Sequence, residues 1–385
     1  MASQGLPEDV VIEILVRLPV KSIQRFKSVS KSWRDLIRSS MFIDRHHKRD
    51  GKQRVLLLKR SFLLQDRCRN VFSFHDPDFP QASSIWPDLS IPIPDDLEYI
   101  HAPVTVHGPC NGLVCVSLCE TVVLCNPALR QFRPLPPRDI EYPEGYLARN
   151  LENGFGFDPN TGAYKFVQFC EIRHRKGRFR DRSKYPLNCT MRIDLYNSAS
   201  NSWRQIDPQL PLDMVWWFPC FQLFFNGAIH WSATLDNQAG HSILCFDMST
   251  DAFRVMDYPD DLDKINRSHR SLMVLNESLA MVLHQPPKQG AQLVDIWVMN
   301  EYGVTGSWTK QFVIGPYSIA CALVCLRDEW LLCESENGQL IACALHKYKF
   351  EEFQLYGREK SPRAMVYEES LISLEMVIPG DGMHE

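Results

Sequence analysis

A hairpin signature recurs along this chain and restricts its fold more than any other feature. In "NPALRQF" (Asn126 to Phe132), "DPNTGAY" (Asp158 to Tyr164), "NSASNSW" (Asn197 to Trp203) and "DMSTDAF" (Asp247 to Phe253), an Asn or Asp stands six residues before an aromatic. "NEYGVTGSW" (Asn300 to Trp308) and "ALHKYKF" (Ala344 to Phe350) are looser copies. Each follows an apolar, strand-like run and opens an alternating one. A short Asn or Asp side chain bonds back to its own turn backbone, and the aromatic begins the returning strand.

The copies lie roughly 32 to 53 residues apart, the period of propeller blades. Between them fall further strands opened by turn residues: "NGLVCVS" from Asn111, "NGAIHWSA" from Asn226, "NESLAMVL" from Asn276 and "NGQLIACA" from Asn337. Four short strands per period make a blade. An open β-sandwich array is the alternative, but hairpins repeating in order suit radial repetition better. "RVLLLKR" and "VFSFHD" are expected to pair with the C-terminal "AMVYEESLISL", closing the ring and removing exposed sheet edges. The glycine doublet of a true kelch repeat is missing, so the domain is kelch-type only in outline.

The first 48 residues differ in kind, with nine Lys or Arg against five acids on a chain whose net charge is −4. Pro7, Glu8 and Asp9 mark a helix start, and Val10 to Leu18 reads helical up to Pro19. A second helix spaces Val20, Ile23 and Phe26, and a third brings Val29, Trp33, Leu36 and Ile37 to one side. On the first helix the apolar arc exceeds what one core demands. So small a unit cannot hide this surface alone. It has no cysteine before Cys68, and His46 and His47 complete no four-ligand set. Docking onto the large domain and binding a separate partner are both open on these grounds. The expected class is α+β: a three-helix head over 1–48, a connecting segment with the first strands over 49–104, and a large all-β propeller-like domain over 105–385.

No nucleophile elbow, HExxH, P-loop or CxxC pair occurs. "GFGFD" at Gly154 lacks a third glycine and lies inside the β repeat. No catalytic residue, metal or cofactor is therefore expected, and His230 and His284 read as structural strand residues. No run of 18 apolar residues suggests a membrane span, and "MASQGLPEDV" lacks the features of a secretory signal. A cytoplasmic or nuclear location follows as an expectation, with the 13 cysteines as reduced, buried hydrophobes. The densest charge, "RHRKGRFRDRSKY" from Arg173, reads as a solvated loop rather than a nucleic-acid site.

"LPEDVVIEILVRLPVKSIQRFKSVSKSWRDLI" resembles the F-box, with Leu6-Pro7, Leu18-Pro19, Val29 two positions before Lys31, and Trp33. The family's usual cysteine after the valine is Ser30 here. The resemblance implies binding to a Skp-type adaptor and, through it, a cullin. On this chain it carries over to Leu6, Pro7, Val11, Ile14, Leu15 and Leu18 of the first segment. In the remainder it carries over to Pro19, Val20, Ile23, Phe26, Val29 and Trp33.

"GPCNGLV", "NPALRQFRPLPP", "GFGFD", "ILCFDMST" with "FRVM", and "IWVMNEYGV" with "SW" resemble the F-box-associated domain of plants, and more narrowly the S-locus F-box proteins of pollen. That resemblance implies a non-catalytic substrate receptor of an SCF-type (Skp-cullin-F-box) ubiquitin ligase whose target is the pistil S-RNase. An F-box receptor for another target is the nearest alternative. A propeller enzyme or sugar-binding module with a docked helical head is the rival from another class. Candidate target contacts are acidic (Asp139, Glu141, Glu144, Asp260, Asp261) and basic (Arg175, Lys176, Arg178). A basic ribonuclease would be attracted by the first group and repelled by the second.

Overall fold

The computed structural model describes residues 7–50, 53–62, 68–76, 89–91, 104–118, 120–139, 144–174, 189–207, 209–210, 215–217, 222–235, 241–259, 270–284, 293–315, 319–335, 339–347, 349–356 and 363–378. Helices α1 (Glu8–Leu15), α2 (Val20–Phe26), α3 (Lys31–Arg38) and α4 (Ser40–Asp50) precede six antiparallel sheets arranged as the blades of a propeller. The helical head therefore has four helices, not three. At Ser39 the backbone turns extended (ψ 141°), ending α3, and its Oγ accepts from the Phe42 N–H at 3.2 Å to start α4. Helix α1 stops at Leu15, earlier than the apolar pattern suggests, because the chain must turn before Pro19 can open α2.

Ring closure is as expected. The C-terminal strand Arg363–Glu368 pairs with Gln53–Phe62, with Met365 opposite Leu56, and the sheet continues through Cys68–His75 and Leu89–Ser90. The strands expected in 49–104 thus belong to the first blade and form part of the ring rather than a link to it. The remaining blades are single stretches of chain. Blade 2 runs from Thr105–Cys110 to Gln131–Pro134, blade 3 from Tyr146–Asp158 to Ser202–Ile206, and blade 4 from Val215–Trp217 to Ala252–Asp257. Blade 5 runs from Arg270–Leu275 to Trp308–Ile314, and blade 6 from Ile319–Leu326 to Lys349–Tyr356. Inner strands are buried along almost their whole length, as in Leu113–Leu118 and Ser278–His284, rather than at alternate residues, so each blade is apolar on both faces and needs a neighbour on each. An apolar cluster fills each interface between successive blades, including Val55 and Leu57 of blade 1 against Leu332 and Ala342 of blade 6.

The hairpin signature has the chemistry read from the sequence. The Asn or Asp Oδ1 accepts from its own turn: Asn126 from the Leu129 N–H at 3.1 Å, Asn197 from Ala199 at 2.8 Å, and Asp247 from Ser249 at 2.9 Å. Four residues after each Asx the backbone is left-handed, at Arg130, Gly162, Asn201 and Asp251. One copy is placed differently. Asn126, Asn197, Asp247, Asn300 and Ala344 join third to fourth strands, whereas Asp158 joins the first and second strands of blade 3. A turn that satisfies its own backbone works between any two antiparallel strands, so its sequence does not report its position in the blade. The first-to-second turns of blades 2, 4 and 5 are instead the two-residue pairs Asn111-Gly112, Asn226-Gly227 and Asn276-Glu277, all at positive φ.

Two features of the repeat serve packing. Gly154 and Gly156 lie on the innermost strand of blade 3, where Trp231 and Phe224 of blade 4 occupy the space a Cβ would take. Buried Lys165 joins blades 3 and 4 across their turns: its Nζ donates to Asp158 Oδ2 (3.0 Å), Asp251 Oδ1 (2.7 Å) and the Met248 carbonyl (2.5 Å). Burial would raise the Asp158 carboxyl's pKa. Hydrogen bonds from Thr161, Lys165 and the Asn160 N–H outweigh that and hold it at about 2. His230 is as structural as expected. The Leu223 carbonyl, 3.2 Å from Nδ1, can only accept, so the neutral ring carries its proton on Nδ1. Its Nε2 accepts from the Tyr302 hydroxyl at 2.7 Å, while Arg254 donates to the same hydroxyl oxygen at 2.6 Å. Burial drops the imidazole's pKa to about 4 and keeps it neutral.

Two outcomes are expected. Glu277 occupies at φ 55° the position that glycine holds in the sister turns, so Glu277→Gly should raise stability by about 1 kcal/mol, measured as an upward shift in the thermal midpoint. Because Asp158 titrates lower when folded than in the unfolded chain, its contribution is complete above about pH 4 and is lost as pH falls toward 2. Thermal melts should show the wild type losing stability across that window. Asp158→Asn should start less stable at pH 7 and lose correspondingly less.

Candidate functional site

The apolar surplus of the head is divided between two faces of α1. At 100° per residue, Ile12, Leu15 and Val16 point one way and are buried, while Val10 and Ile14 point the other and remain 38% and 48% exposed. The inward face packs with Val20 and Ile23 of α2, Ile37 of α3, and Phe42 and Ile43 of α4. Leu371 from the far end of the chain completes that cluster, with Ala128, Leu129 and Ile372 at its edge. Docking within the chain thus accounts for one half of the surplus and leaves the other half in solvent.

Of the residues that the F-box resemblance singles out, Leu6 lies outside the described residues. Pro7, Ile14, Pro19 and Val29 are exposed, Val29 by 61%, and Val11, Leu18, Phe26 and Trp33 are half-buried. Leu15, Val20 and Ile23 are buried in the cluster facing the propeller. The surface open to a partner is therefore narrower than the twelve positions, because an apolar residue at helical spacing does not declare which of two apolar neighbours it faces. Val29 also leaves the side assigned to it: it precedes α3 instead of continuing it, so it does not share a face with Trp33 and Ile37. Phe26 and Trp33 meet edge to face at 5.5 Å, bracing α2 against α3. Ser30 is the N-cap of α3, its Oγ accepting from the Trp33 N–H at 3.1 Å, so the hydroxyl anchors the helix start. Met41, 56% exposed, was not among the expected contacts. It follows Ser40 at the start of α4, a helix that the sequence reading did not separate from α3.

Charges at the ring and its loops are less complete. Asp139 and Glu144 are exposed on the chain between blades 2 and 3. Glu141, Arg175, Lys176, Arg178, Asp260 and Asp261 lie outside the described residues. The central channel of about 230 Å³ is lined by innermost-strand residues from five blades, including Val106, Leu272, Leu323 and Met365. Among its described lining residues the titratable side chain is Cys325, whose thiol burial pushes up to about 12. The described residues contain no cluster of three or more His, Cys, Asp or Glu able to hold a metal, and none of their helices is long and apolar enough to cross a membrane. His46 is spent on the fold, with its Nε2 2.9 Å from the Leu18 carbonyl.

Comparison with known proteins agrees with this division. Residues 4–45 match the F-box domain, and residues 82–374 match the F-box associated beta propeller domain. F-box protein CPR1 of Arabidopsis thaliana is 25% identical, with 97% of this chain and 87% of that protein covered. Putative F-box protein At1g33530 of the same plant is 31% identical over 82% of this chain and 68% of its own length. F-box/kelch-repeat protein At3g23880 is 27% identical over 80% and 78% of the two chains. A solved oligogalacturonate lyase in complex with manganese aligns over 77% of each chain at a TM-score of 0.43 and 8% identity, too distant to carry any argument. The chain belongs to the plant F-box proteins that carry an F-box associated β-propeller domain.

Proposed function

We propose that this chain is the substrate-recognition subunit of an SCF-type ubiquitin ligase. The outward face of the F-box holds a Skp-type adaptor and, through it, a cullin, while the propeller holds the target. The division of α1 is the observation that carries this reading: its inward face is fully used within the chain, yet Val10 and Ile14 one turn apart, with Pro7 and Val29, stay in water. Exposed apolar side chains grouped on a small basic unit mark a protein interface. The chain's own contribution to rate is proximity, bringing target lysines to a conjugating enzyme with no bond chemistry on its residues. Cys115, Cys125, Cys245 and Cys333 are buried as small apolar side chains within the blades, which fits a reducing cytoplasm or nucleus.

Co-expression with a Skp adaptor tests this directly. Wild type should co-purify with it, and Val10→Asp with Ile14→Asp should weaken binding at least about a hundredfold, since each buries a charge at an apolar contact. The propeller's thermal transition should stay in place. Absence of binding by the wild type would remove the ligase reading.

The finer target assignment, a pistil ribonuclease, rests on the S-locus resemblance and on the exposure of Asp139 and Glu144 beside blade 2. A basic ribonuclease should bind the wild type and lose affinity severalfold on Asp139→Lys with Glu144→Lys, with the difference shrinking at high salt. No binding at low salt would leave an F-box receptor for another target.

A further inference from the structure

The ten residues after the ring-closing strand, 369–378, touch both halves of the molecule. Leu371 is buried in the F-box cluster among Ile12, Leu15, Val20, Ile23 and Phe42. On the other side the segment is seated on blade 2 by side chains that reach its backbone. Asn126 Nδ2 donates to the carbonyls of Ser370 (3.1 Å) and Ile372 (2.8 Å). Gln131 Oε1 accepts from the Leu374 N–H (3.0 Å), and Arg133 Nη1 donates to the Ile378 carbonyl (2.8 Å). The short helix α5 (Leu374–Val377) buries Leu374, with Ile378 after it, in the apolar cluster between blades 2 and 3. Gly112 makes room for the segment: a Cβ there would lie 2.6 Å from the Glu368 carbonyl and would collide with Ser370, at a φ of 74°. The phrases "GPCNGLV" and "NPALRQF" thus contribute the seat of this segment.

We infer that residues 369–378 form a strap that completes the F-box core and couples it to closure of the ring. The F-box of this chain is not a free-standing module. It lacks one of its core side chains until the C-terminal strand has paired with Gln53–Phe62 and delivered Leu371. The passage from α4 to Gln53, the strap, and Ala128 and Leu129 of the blade 2 turn then hold it to the ring, which fixes its orientation relative to the propeller. Linkage is reciprocal, so whatever stabilises the F-box also stabilises ring closure. With the function proposed above, on which this last step rests, adaptor binding tightens the target-binding domain at its seam.

Hydrogen exchange on the full chain, without adaptor, tests the strap. In the wild type, peptides from residues 8–47 should exchange together with those from 53–62 and 363–368. Leu371→Asp should speed exchange of the F-box peptides by at least about thirtyfold, the scale expected for loss of a large buried side chain, while strands of blades 3 to 5 keep their protection. Should Leu371→Asp fail to fold throughout, Leu371→Ala carries the same expectation at smaller amplitude, and Leu371→Met should behave as wild type. Unchanged F-box protection in either destabilising variant that folds would overturn the inference. A second arm adds excess Skp adaptor to the wild type, which should slow exchange of 363–378. Adaptor that binds without slowing it overturns the coupling. Adaptor that does not bind defeats the ligase reading, and the adaptor-free result then decides the strap by itself.

Discussion

The pairing of Gln53–Phe62 with Arg363–Glu368 is the contact on which the rest of the molecule depends. Every blade is apolar on both faces, so none can sit at an open end, and the ring is stable only when the last blade meets the first. The two strands that make this joint come from opposite ends of the sequence. Loop closure over such a distance costs entropy before any contact offsets it, and the cost is met by six interblade clusters acting together. The same joint carries Leu371 into the F-box, so helical head and β body share one seam.

Several described polar groups within the ring fix neighbouring blades to one another. Lys165 spans blades 3 and 4 with all three of its donors satisfied, and Asp158 receives bonds from Thr161, Lys165 and its own turn. Removing Lys165 would leave the buried Asp158 carboxylate without its cation, which costs more than the pair itself contributes, whereas removing Asp158 leaves Lys165 paired with Asp251. His230 is kept neutral by burial and held between the Tyr302 hydroxyl and the Leu223 carbonyl. These groups join blades 3 to 4 and 4 to 5 in the way that the strap joins blade 2 to the head. Blades 3, 4 and 5 are therefore tied by polar bonds as well as by their apolar interfaces.

Much of this was legible residue by residue. An Asx side chain bonding its own turn is a local event, so Asn126, Asn197 and Asp247 announced hairpins correctly. The Asp158 copy announced a hairpin too, yet it joins a different pair of strands. Its turn chemistry is the same as that of its relatives, and strand order is a long-range property. The first helix shows the same limit: its pattern placed apolar residues on both sides, but only packing with the later helices and with Leu371, more than 350 residues away, decides that Leu15 is buried and Ile14 stays in water. Ser30, which stands where the resemblance has a cysteine, supplies the hydroxyl cap from which α3 begins, a role that its place in the motif does not declare.

The amino-acid sequence by itself determined what short-range forces can encode: the repeat of hairpins, the six-residue step from Asx to aromatic, the helix starts at Pro7 and Pro19, and hence the membership of both regions in their family. The tertiary structure alone decided which apolar residues of the F-box face the ring, where each hairpin sits in its blade, and that residues 369–378 complete the first domain. The physical reason is that backbone hydrogen bonding and side-chain periodicity act over a few residues. Burial depends on which distant surface arrives to exclude water, and that is settled only when the ring closes.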